Sequence, residues 1–335
     1  MKKFFSHLIQ HFLLCHLQMI LIAAIIDALW GEPKYIYNKI PHPIIWIGKL
    51  IDYLDKKLNH TNDPAQQQKQ NGFVALSLTI AIPCLVGIFL QRILFKFLPK
   101  PIAYFLSGVI ASIFIAKRSL YEHVHEVEKA LTLGDIKNAR YAVSQIVGRK
   151  TDQLDSSGIA RAAIESLAEN FSDGVIAPVF WGCIGGLPGI ITYKAINTAD
   201  SMIGHKTKKY KFFGFAAAKS DDYVNYPAAR LSALLIILTT SKKPFSDLKF
   251  VAKEAKKHNS PNAGWPEAAM ATRLSILLAG PRQYQNYVID SPWIGTGKSK
   301  LNQMDIQNAL DTFSFTYNKS LTFLIIITLI LKKFK

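Results

Sequence analysis

The sequence predicts an all-α fold, a multi-pass integral membrane helical bundle with polar helical insertions. Half of its 335 residues are hydrophobic and the mean hydropathy is +0.15. These values are high for a soluble protein and low for a bundle made only of membrane helices. Several apolar runs approach the roughly 20 residues that a membrane helix needs, and polar segments with helical spacing lie between them. No linker rich in Gly, Ser and Pro divides the chain, so we predict a single membrane domain over residues 1–335.

Four apolar runs are predicted to span a membrane. A fifth run, 174–196, contains Pro178, Pro188 and five glycines, and that many helix breakers favour a broken or re-entrant segment buried in protein. A sixth run, 228–239, is too short to span. The predicted spans are residues 12–30, 73–90, 102–116 and 321–331, the last of which could begin at 313. Between them, 117–172 has the 3.6-residue periodicity of a polar helical insertion.

Charge and cysteine content limit the class of protein. The net charge is +17, which fits lysines in membrane loops, attraction to the lipid bilayer, or binding of an anionic substrate. Nucleic acid is not an expected partner, because no recognisable binding module accompanies the charge. Cys15, Cys84 and Cys183 are isolated in apolar runs, which argues against a disulfide framework and a structural zinc site.

An acidic stripe precedes the broken apolar run. Arg161, Glu165, Glu169 and Asp173 follow one another at intervals of four residues, so a continuous helix would place them on one face. A solvated face with ion pairs explains Arg161 and Glu165 well. Glu169 and Asp173 lie at the entry to an apolar run, where carboxylates are costly, so they are the candidates for a catalytic base.

Two further clusters carry oxygen ligands beside cations. Asn197 and Asp200 lie within one helical turn, and Lys194 and Lys206 flank them. Mg²⁺ takes one or two carboxylates and lets substrate phosphates complete its shell. A juxtamembrane basic patch is the alternative explanation for the lysines. The second cluster follows at 219–230, with Pro227 expected in the first turn of the next helix. The predicted metal ligands are Asn197, Asp200, Asp221, Asp222 and Asn225.

Arg230 either neutralises this acidic charge or binds phosphate. The loop 258–267 offers Ser260, Asn262 and Glu267 as groups for phosphate or amide binding. The run 292–299 resembles a P-loop, but a proline stands where the first glycine belongs and the preceding 287–289 run is a poor strand. We therefore do not expect a Walker motif.

Taken together, these segments resemble the cobalamin biosynthesis CobD/CbiB family, the adenosylcobinamide-phosphate synthases. Matching pieces include DALWGEP at 27–33, PHPIIWIG at 41–48 and ENFSDGVIAP at 169–178. Residues 1–20 look like an N-terminal extension, and Thr272 and Arg273 replace the small residues usual there. The other matching pieces are 146–149, 151–154, 193–204, 221–231, 260–268 and 292–295.

The resemblance implies a ligase that uses ATP and Mg²⁺. It would join (R)-1-aminopropan-2-ol or its phosphate to the propionate of the corrinoid adenosylcobyric acid, giving adenosylcobinamide or its phosphate. On this hypothesis Lys194 is catalytic, and Arg149, Asn170, Lys206 and Arg230 bind substrate or phosphate. The resemblance also implies the cytoplasmic membrane, an active site facing the cytoplasm, and association with other membrane enzymes of late cobamide assembly.

Two other functions fit parts of the pattern. A Mg²⁺-dependent membrane prenyl- or alcohol-phosphotransferase could use the same acidic residues, but it predicts more complete spans and a second matching acidic motif. A transporter could use the broken 174–196 helix as a midplane site, but it predicts inverted repeats. Neither extra feature is evident in the sequence.

Overall fold

The computed structural model describes residues 2–148, 150–284, 287–289 and 291–333. It is 77% helical with almost no sheet, and the predicted all-α membrane bundle is confirmed. The α-helices are α1 (Lys2–Trp30), α2 (Lys34–Tyr37), α3 (Pro43–Leu58), α4 (Ala65–Phe97), α5 (Lys100–Ser112), α6 (Lys117–Thr132), α7 (Ile136–Ser144), α8 (Ser156–Asn170), α9 (Ala177–Ile203), α10 (Phe215–Thr240), α11 (Pro244–Glu254), α12 (Gly264–Leu274) and α13 (Gln303–Lys333).

Short elements complete the chain. A π-helical turn, Phe171–Ile176, joins α8 to α9, and a 3₁₀ turn, Ala255–Lys257, follows α11. Two antiparallel pairs of strands, β1 with β4 and β2 with β3, form two small sheets. The strands are β1 (Leu277–Ala279), β2 (Arg282–Tyr284), β3 (Tyr287–Ile289) and β4 (Trp293–Gly295).

The chain forms two compact units. The first unit comprises Met1–Ala116, Ala177–Val224 and Phe323–Lys335, and the second comprises Lys117–Ile176 and Asn225–Thr322. The organisation as one membrane domain stays a prediction.

Within the described part of the chain, five helical runs are long and apolar enough to cross a membrane. Three of them contain the predicted spans 73–90, 102–116 and 321–331, and a fourth covers the predicted span 12–30 except for its first residue. The fifth contains the apolar run in which a broken segment was predicted. The five runs are Leu13–Trp30, Ala65–Phe97, Lys100–Thr132, Ser156–Ile203 and Gln303–Lys333.

The helix α9 is interrupted at Gly186, as the glycine and proline content of this run predicted. Gly186 has φ 64° and ψ −147°, a backbone conformation open essentially to glycine alone. Two side chains from other helices of the first unit bind the backbone groups around the break. The Leu187 N–H donates to Oε1 of Gln91 at 2.8 Å, and Nδ1 of the buried His16 donates to the Ile184 carbonyl at 3.2 Å. Protein side chains therefore satisfy these two backbone groups at the break.

Two buried carboxylates bind the backbone of the small sheet formed by β1 and β4 in the second unit. Glu165 on α8 accepts a hydrogen bond from the Ala279 N–H at 2.8 Å, and Glu254 on α11 accepts one from the Gly295 N–H at 2.8 Å. Both glutamates are buried. Each carboxylate thus binds a backbone donor at the end of β1 or within β4, and backbone donors of this kind are rarely left unsatisfied inside a protein.

Two local predictions were wrong. The 287–289 run, judged a poor strand, forms β3, because β2 supplies an antiparallel partner for its backbone. Pro227, expected in a first helical turn, lies inside α10, which begins twelve residues earlier at Phe215. A proline inside a helix removes one backbone hydrogen bond, and α10 continues to Thr240 despite that loss.

We expect Gly186→Ala to destabilise the protein. A Cβ there would lie 2.5 Å from Oε1 of Gln91 and 2.8 Å from Nε2 of His16, and the backbone conformation would be strained. The cost should be about 1–3 kcal/mol, seen as a lower thermal unfolding midpoint in detergent. Gly185→Ala is the matched control, since no atom lies within 4 Å of its added Cβ. Equal midpoints for the two variants would contradict the role given to the break.

Candidate functional site

The candidate site in the first unit begins on one face of α9. Lys194, Asn197 and Asp200 follow at intervals of three residues, so they lie along the same side of the helix. Nδ2 of Asn197 donates to Oδ1 of Asp221 on α10 at 3.3 Å. The structure therefore brings together two clusters that are separated in the sequence by the turn from 204 to 214.

The carboxylates of this site act on one another. Asp200 lies within electrostatic range of Asp222 and of the His205 imidazole. Asp222 also forms an ion pair with Lys219, its Oδ2 lying 3.1 Å from Nζ of the lysine. Neighbouring carboxylates repel, so a bound cation would stabilise this arrangement.

The carboxylates of Asp200, Asp221 and Asp222 could bind a magnesium ion only if substrate supplied the remaining ligands. Among the described residues, no group of three His, Cys, Asp or Glu side chains is placed to hold a metal by itself. Mg²⁺ commonly uses one or two protein carboxylates and fills its shell with water and phosphate. Asp200, Asp221 and Asp222 offer such carboxylates. Asn225, predicted as a fifth ligand, has a fully buried side chain and belongs to the second unit.

Sequence reasoning missed His42, which lies within electrostatic range of both Glu32 and Lys194. His42 is the N-cap of α3, and its Nδ1 accepts a hydrogen bond from the Ile44 N–H at 3.2 Å. Burial lowers the pKa of His42; Glu32 opposes that shift, and the charge of Lys194 adds to it. The only sequence signal was that Glu32 and His42 fall in the DALWGEP and PHPIIWIG pieces, to which no chemical role had been assigned.

The basic turn, residues 204–214 between α9 and α10, is attached to α3. Nζ of Lys209 lies 2.6 Å from Oδ2 of the buried Asp55, and the Tyr210 hydroxyl donates to the same oxygen at 3.2 Å. The hydrogen bond to Asp55 raises the pKa of Lys209. Lys206, predicted to bind phosphate, is exposed in this turn, as is Lys208.

The predicted acidic stripe of the second unit is divided. Arg161 donates to the Ser299 and Leu277 carbonyls, and its guanidinium lies 4.7 Å from the Trp293 ring centroid. Glu165 is buried against β1, so the interpretation as a solvated face is wrong for this residue. Arg161 and Glu165 thus hold the small sheet.

The other members of the stripe lie where α8 ends. Glu169 is exposed in the last turn of α8, and Asp173 is half-buried in the π-helical turn. Nδ2 of Asn170 donates to the Ser166 carbonyl at 3.0 Å. A π turn changes the angular spacing of side chains, so Asp173 does not continue an α-helical stripe. Arg149 lies outside the described residues.

The loop 258–267 and Arg230 form one network in the second unit. Arg230 donates to Oδ1 of Asn262 at 2.9 Å and to the Pro261 and Tyr226 carbonyls at 3.0 Å each. Its guanidinium stacks 3.4 Å from the Tyr226 ring centroid, and burial lowers its pKa. The predicted phosphate ligand therefore already binds three protein acceptors and anchors this loop.

The remaining predicted residues of this loop belong to the same network. Oγ of Ser260 accepts from the backbone N–H groups of Asn262 and Ala263, both at 3.2 Å, and so holds the turn that precedes α12. The buried Glu267 lies 3.7 Å from Nε2 of His258, measured from its Oε1. His258 links the two groups, because its Nδ1 accepts from the Ser260 N–H at 3.0 Å. The role of Ser260, Asn262 and Glu267 in phosphate or amide binding stays a prediction.

The P-loop-like run does not have the geometry of a phosphate-binding loop. Its glycine at 295 lies in strand β4, and α13 begins only at Gln303. Lys298, which would bind phosphate in a true P-loop, forms an ion pair with Asp305, with Nζ and Oδ2 2.7 Å apart. A P-loop lysine stands at the start of a helix that follows a glycine-rich turn, which the described chain does not provide here.

Comparison with known proteins shows which family the chain belongs to. The model of the family described as CobD/Cbib protein matches residues 20–313. The chain belongs to the CobD/Cbib family. The match begins at residue 20 and covers every residue of the predicted site. No solved structure matches the chain.

Curated CobD relatives are similar over most of their length. A protein of Sinorhizobium sp. is 43% identical over 303 residues, covering 89% of this chain and 93% of the relative. One from Rhodobacter capsulatus is 45% identical over 276 residues, covering 82% and 86%. One from Brucella suis biovar 1 is 43% identical over 300 residues, covering 87% and 90%. Each is named cobalamin biosynthesis protein CobD.

We expect His42 to make this CobD-family protein sensitive to acid. The pKa of His42 is lowered in the folded chain, so the unfolded chain takes up the proton more readily. The folded protein therefore loses stability as the pH falls from about 6.5, the pKa of the unfolded chain, through the lower pKa of the folded chain. His42→Asn keeps an acceptor for the Ile44 N–H but does not titrate. The thermal unfolding midpoint should fall less between pH 7.5 and 5.5 in this variant than in the wild type. The exposed His60, changed to Asn, is the control; an identical pH dependence of wild type and His42→Asn would count against the prediction.

Arg230→Lys tests whether Arg230 anchors the loop. Lysine lacks the planar fork that reaches three acceptors and stacks on Tyr226, so we expect a loss of about 1–3 kcal/mol in the free energy of unfolding. The exposed Arg273→Lys on α12 is the matched control. An unchanged unfolding midpoint combined with a raised KM for a phosphorylated substrate would instead favour the phosphate-binding role predicted from the sequence.

Proposed function

We propose that this chain acts in cobalamin biosynthesis as an ATP-dependent acid–amine ligase. The reaction joins the propionate carboxylate of adenosylcobyric acid to (R)-1-aminopropan-2-ol or its phosphate, and the product is adenosylcobinamide or its phosphate. Family membership and the names of the curated relatives support the pathway. The substrates and the bond formed rest on the resemblance of the motifs.

The observation that carries the chemistry is the polar face of α9 and its partners on α10. Lys194, Asn197 and Asp200 share that face, Asn197 donates to Asp221, and Asp222 lies near Asp200. Membrane helices rarely carry ionisable groups except for function. This set combines a cation with several carboxylates beside a run apolar enough to cross a membrane.

A carboxylate must be activated before it can form an amide at neutral pH. Transfer of a phosphoryl group from ATP to the propionate oxygen gives an acyl phosphate and ADP. The amine nitrogen then attacks the carbonyl carbon, the bond from that carbon to the phosphate oxygen breaks, and phosphate leaves. The nitrogen, which begins as an ammonium, loses its protons to a base and to solvent.

Positioning and charge neutralisation are the main tasks of a protein that catalyses phosphoryl transfer. On this proposal Lys194 and Lys206 neutralise the phosphates and hold them in place. Asp200, Asp221 and Asp222 would hold Mg²⁺, with Asn197 orienting Asp221. When bound, Mg²⁺ supplies neutralisation of the negative charge that develops on the transferred group.

The proton acceptor is proposed from the sequence. Glu169 and Asp173 are the candidates, and Glu169 is exposed while Asp173 is half-buried. A base must come within hydrogen-bonding distance of the ammonium, which an exposed or half-exposed carboxylate can do. The substrates are cytosolic, so we propose that the site faces the cytoplasm in the cytoplasmic membrane, where other membrane enzymes of late cobamide assembly could take the product.

We expect Asp221→Asn and Asp222→Asn each to lower kcat by about 100-fold or more, because each removes a charge that positions the phosphoryl group. The assay supplies adenosylcobyric acid, ATP, Mg²⁺ and aminopropanol phosphate to detergent-purified protein, and mass spectrometry detects the condensed corrinoid. The matched control is Asp52→Asn, an exposed aspartate of α3 that pairs with Lys56. Its activity should be unchanged.

Two results would overturn the proposal at different levels. Near-normal turnover in both Asp221→Asn and Asp222→Asn would remove the site assignment but keep the reaction. The absence of a condensed corrinoid with folded wild-type protein, for both the phosphorylated and the unphosphorylated amine, would remove the reaction itself. Isoprenoid or alcohol-phosphate transfer would then be the next activity to assay.

A further inference from the structure

An apolar cavity of about 400 Å³ lies in the first unit, lined by residues of α1, α4 and α9. All three helices belong to runs that are long and apolar enough to cross a membrane. Most of the lining is apolar, with Met19, Ile88 and Phe95 among its members. The volume is in the range of pockets that hold small molecules. An apolar chain is therefore the kind of group that this cavity would accept.

Two polar side chains in the wall are already occupied by the protein. His16 donates to the Ile184 carbonyl, and Gln91 accepts from the Leu187 N–H at the break in α9. These contacts hold the wall in place and leave the interior suited to apolar atoms. The break also brings Gly185 and Pro188 to the cavity, and a Cβ added at Gly185 would meet no atom within 4 Å. The space next to Gly185 is thus open.

Arg92 is the charged residue of the lining. Its side chain is exposed, and among the residues that the structure describes it forms no ion pair. Arginine presents a planar set of donors that matches a phosphate. It stands near the end of α4, where Lys96 and Lys100 follow. A ligand with an apolar chain and a phosphate would thus complement both the cavity and its edge.

We propose that this cavity binds one anionic glycerophospholipid. An acyl chain fills the space beside Gly185, and the lipid phosphate is bound by the Arg92 guanidinium. The site is distinct from the polar face formed by Lys194, Asn197 and Asp200, and it does not depend on the ligase reaction. It would retain a lipid specifically, in contrast to the general contact that every apolar helix face makes with the bilayer.

The test is native mass spectrometry of the full-length chain in detergent, titrated with phosphatidylglycerol. The wild type should retain one lipid and bind it more tightly than a chain-matched phosphatidylcholine. Arg92→Gln should weaken phosphatidylglycerol binding about tenfold, since a hydrogen bond to a charged group is lost. Gly185→Leu should weaken binding of both lipids, because the side chain occupies the space of the acyl chain.

Lys96→Gln is the matched control. It removes one positive charge from the same end of α4, at a residue that does not line the cavity, so its affinity should equal that of the wild type. The proposal fails if Lys96→Gln and Arg92→Gln weaken binding equally, which would indicate general surface charge. It also fails if folded Gly185→Leu, with wild-type helicity and elution volume, retains the lipid as the wild type does.

Discussion

The hydrogen bonds around the break in α9 are the constraint on which the first unit depends. A membrane interior offers no water to an interrupted helix, so each exposed N–H or carbonyl group there must find a protein partner. His16 from α1 and Gln91 from α4 provide those partners around Gly186. The same contacts fix the path of the helix that carries Lys194 and Asp200 further along the chain.

In the second unit, charged side chains bind backbone groups that would otherwise lack a hydrogen-bond partner. Its small strands lie among helices, and the buried carboxylates of Glu165 and Glu254 accept backbone N–H groups of that sheet. Arg230 does the converse, because its guanidinium donates to carbonyl and amide oxygens of the 258–267 loop. Arg230, which the sequence offered as a phosphate ligand, therefore makes structural contacts of the same kind as Glu165 and Glu254.

Sequence periodicity and composition were enough to predict the spans, the break in the 174–196 run and the helical character of 117–172, because each depends on local spacing. Proximity between distant residues could not be predicted in the same way. Asn197 and Asp221, which are hydrogen-bonded, were assigned to one site by residue type. His42, which lies within electrostatic range of Lys194, went unnoticed, because about 150 residues separate the two along the chain. The strand at 287–289 was missed because its partner lies outside its own run.

The ion pair between Lys209 and Asp55 has a consequence for how the basic turn responds to ionic strength. Asp55 is buried and Lys209 is half exposed, so salt screens this direct contact less than it screens the attraction of the exposed Lys206 and Lys208 for ions farther than about 8 Å away. The turn should keep its position as salt rises while its attraction for distant anions fades. Salt would thus slow the capture of an anionic ligand by this turn without loosening the turn itself.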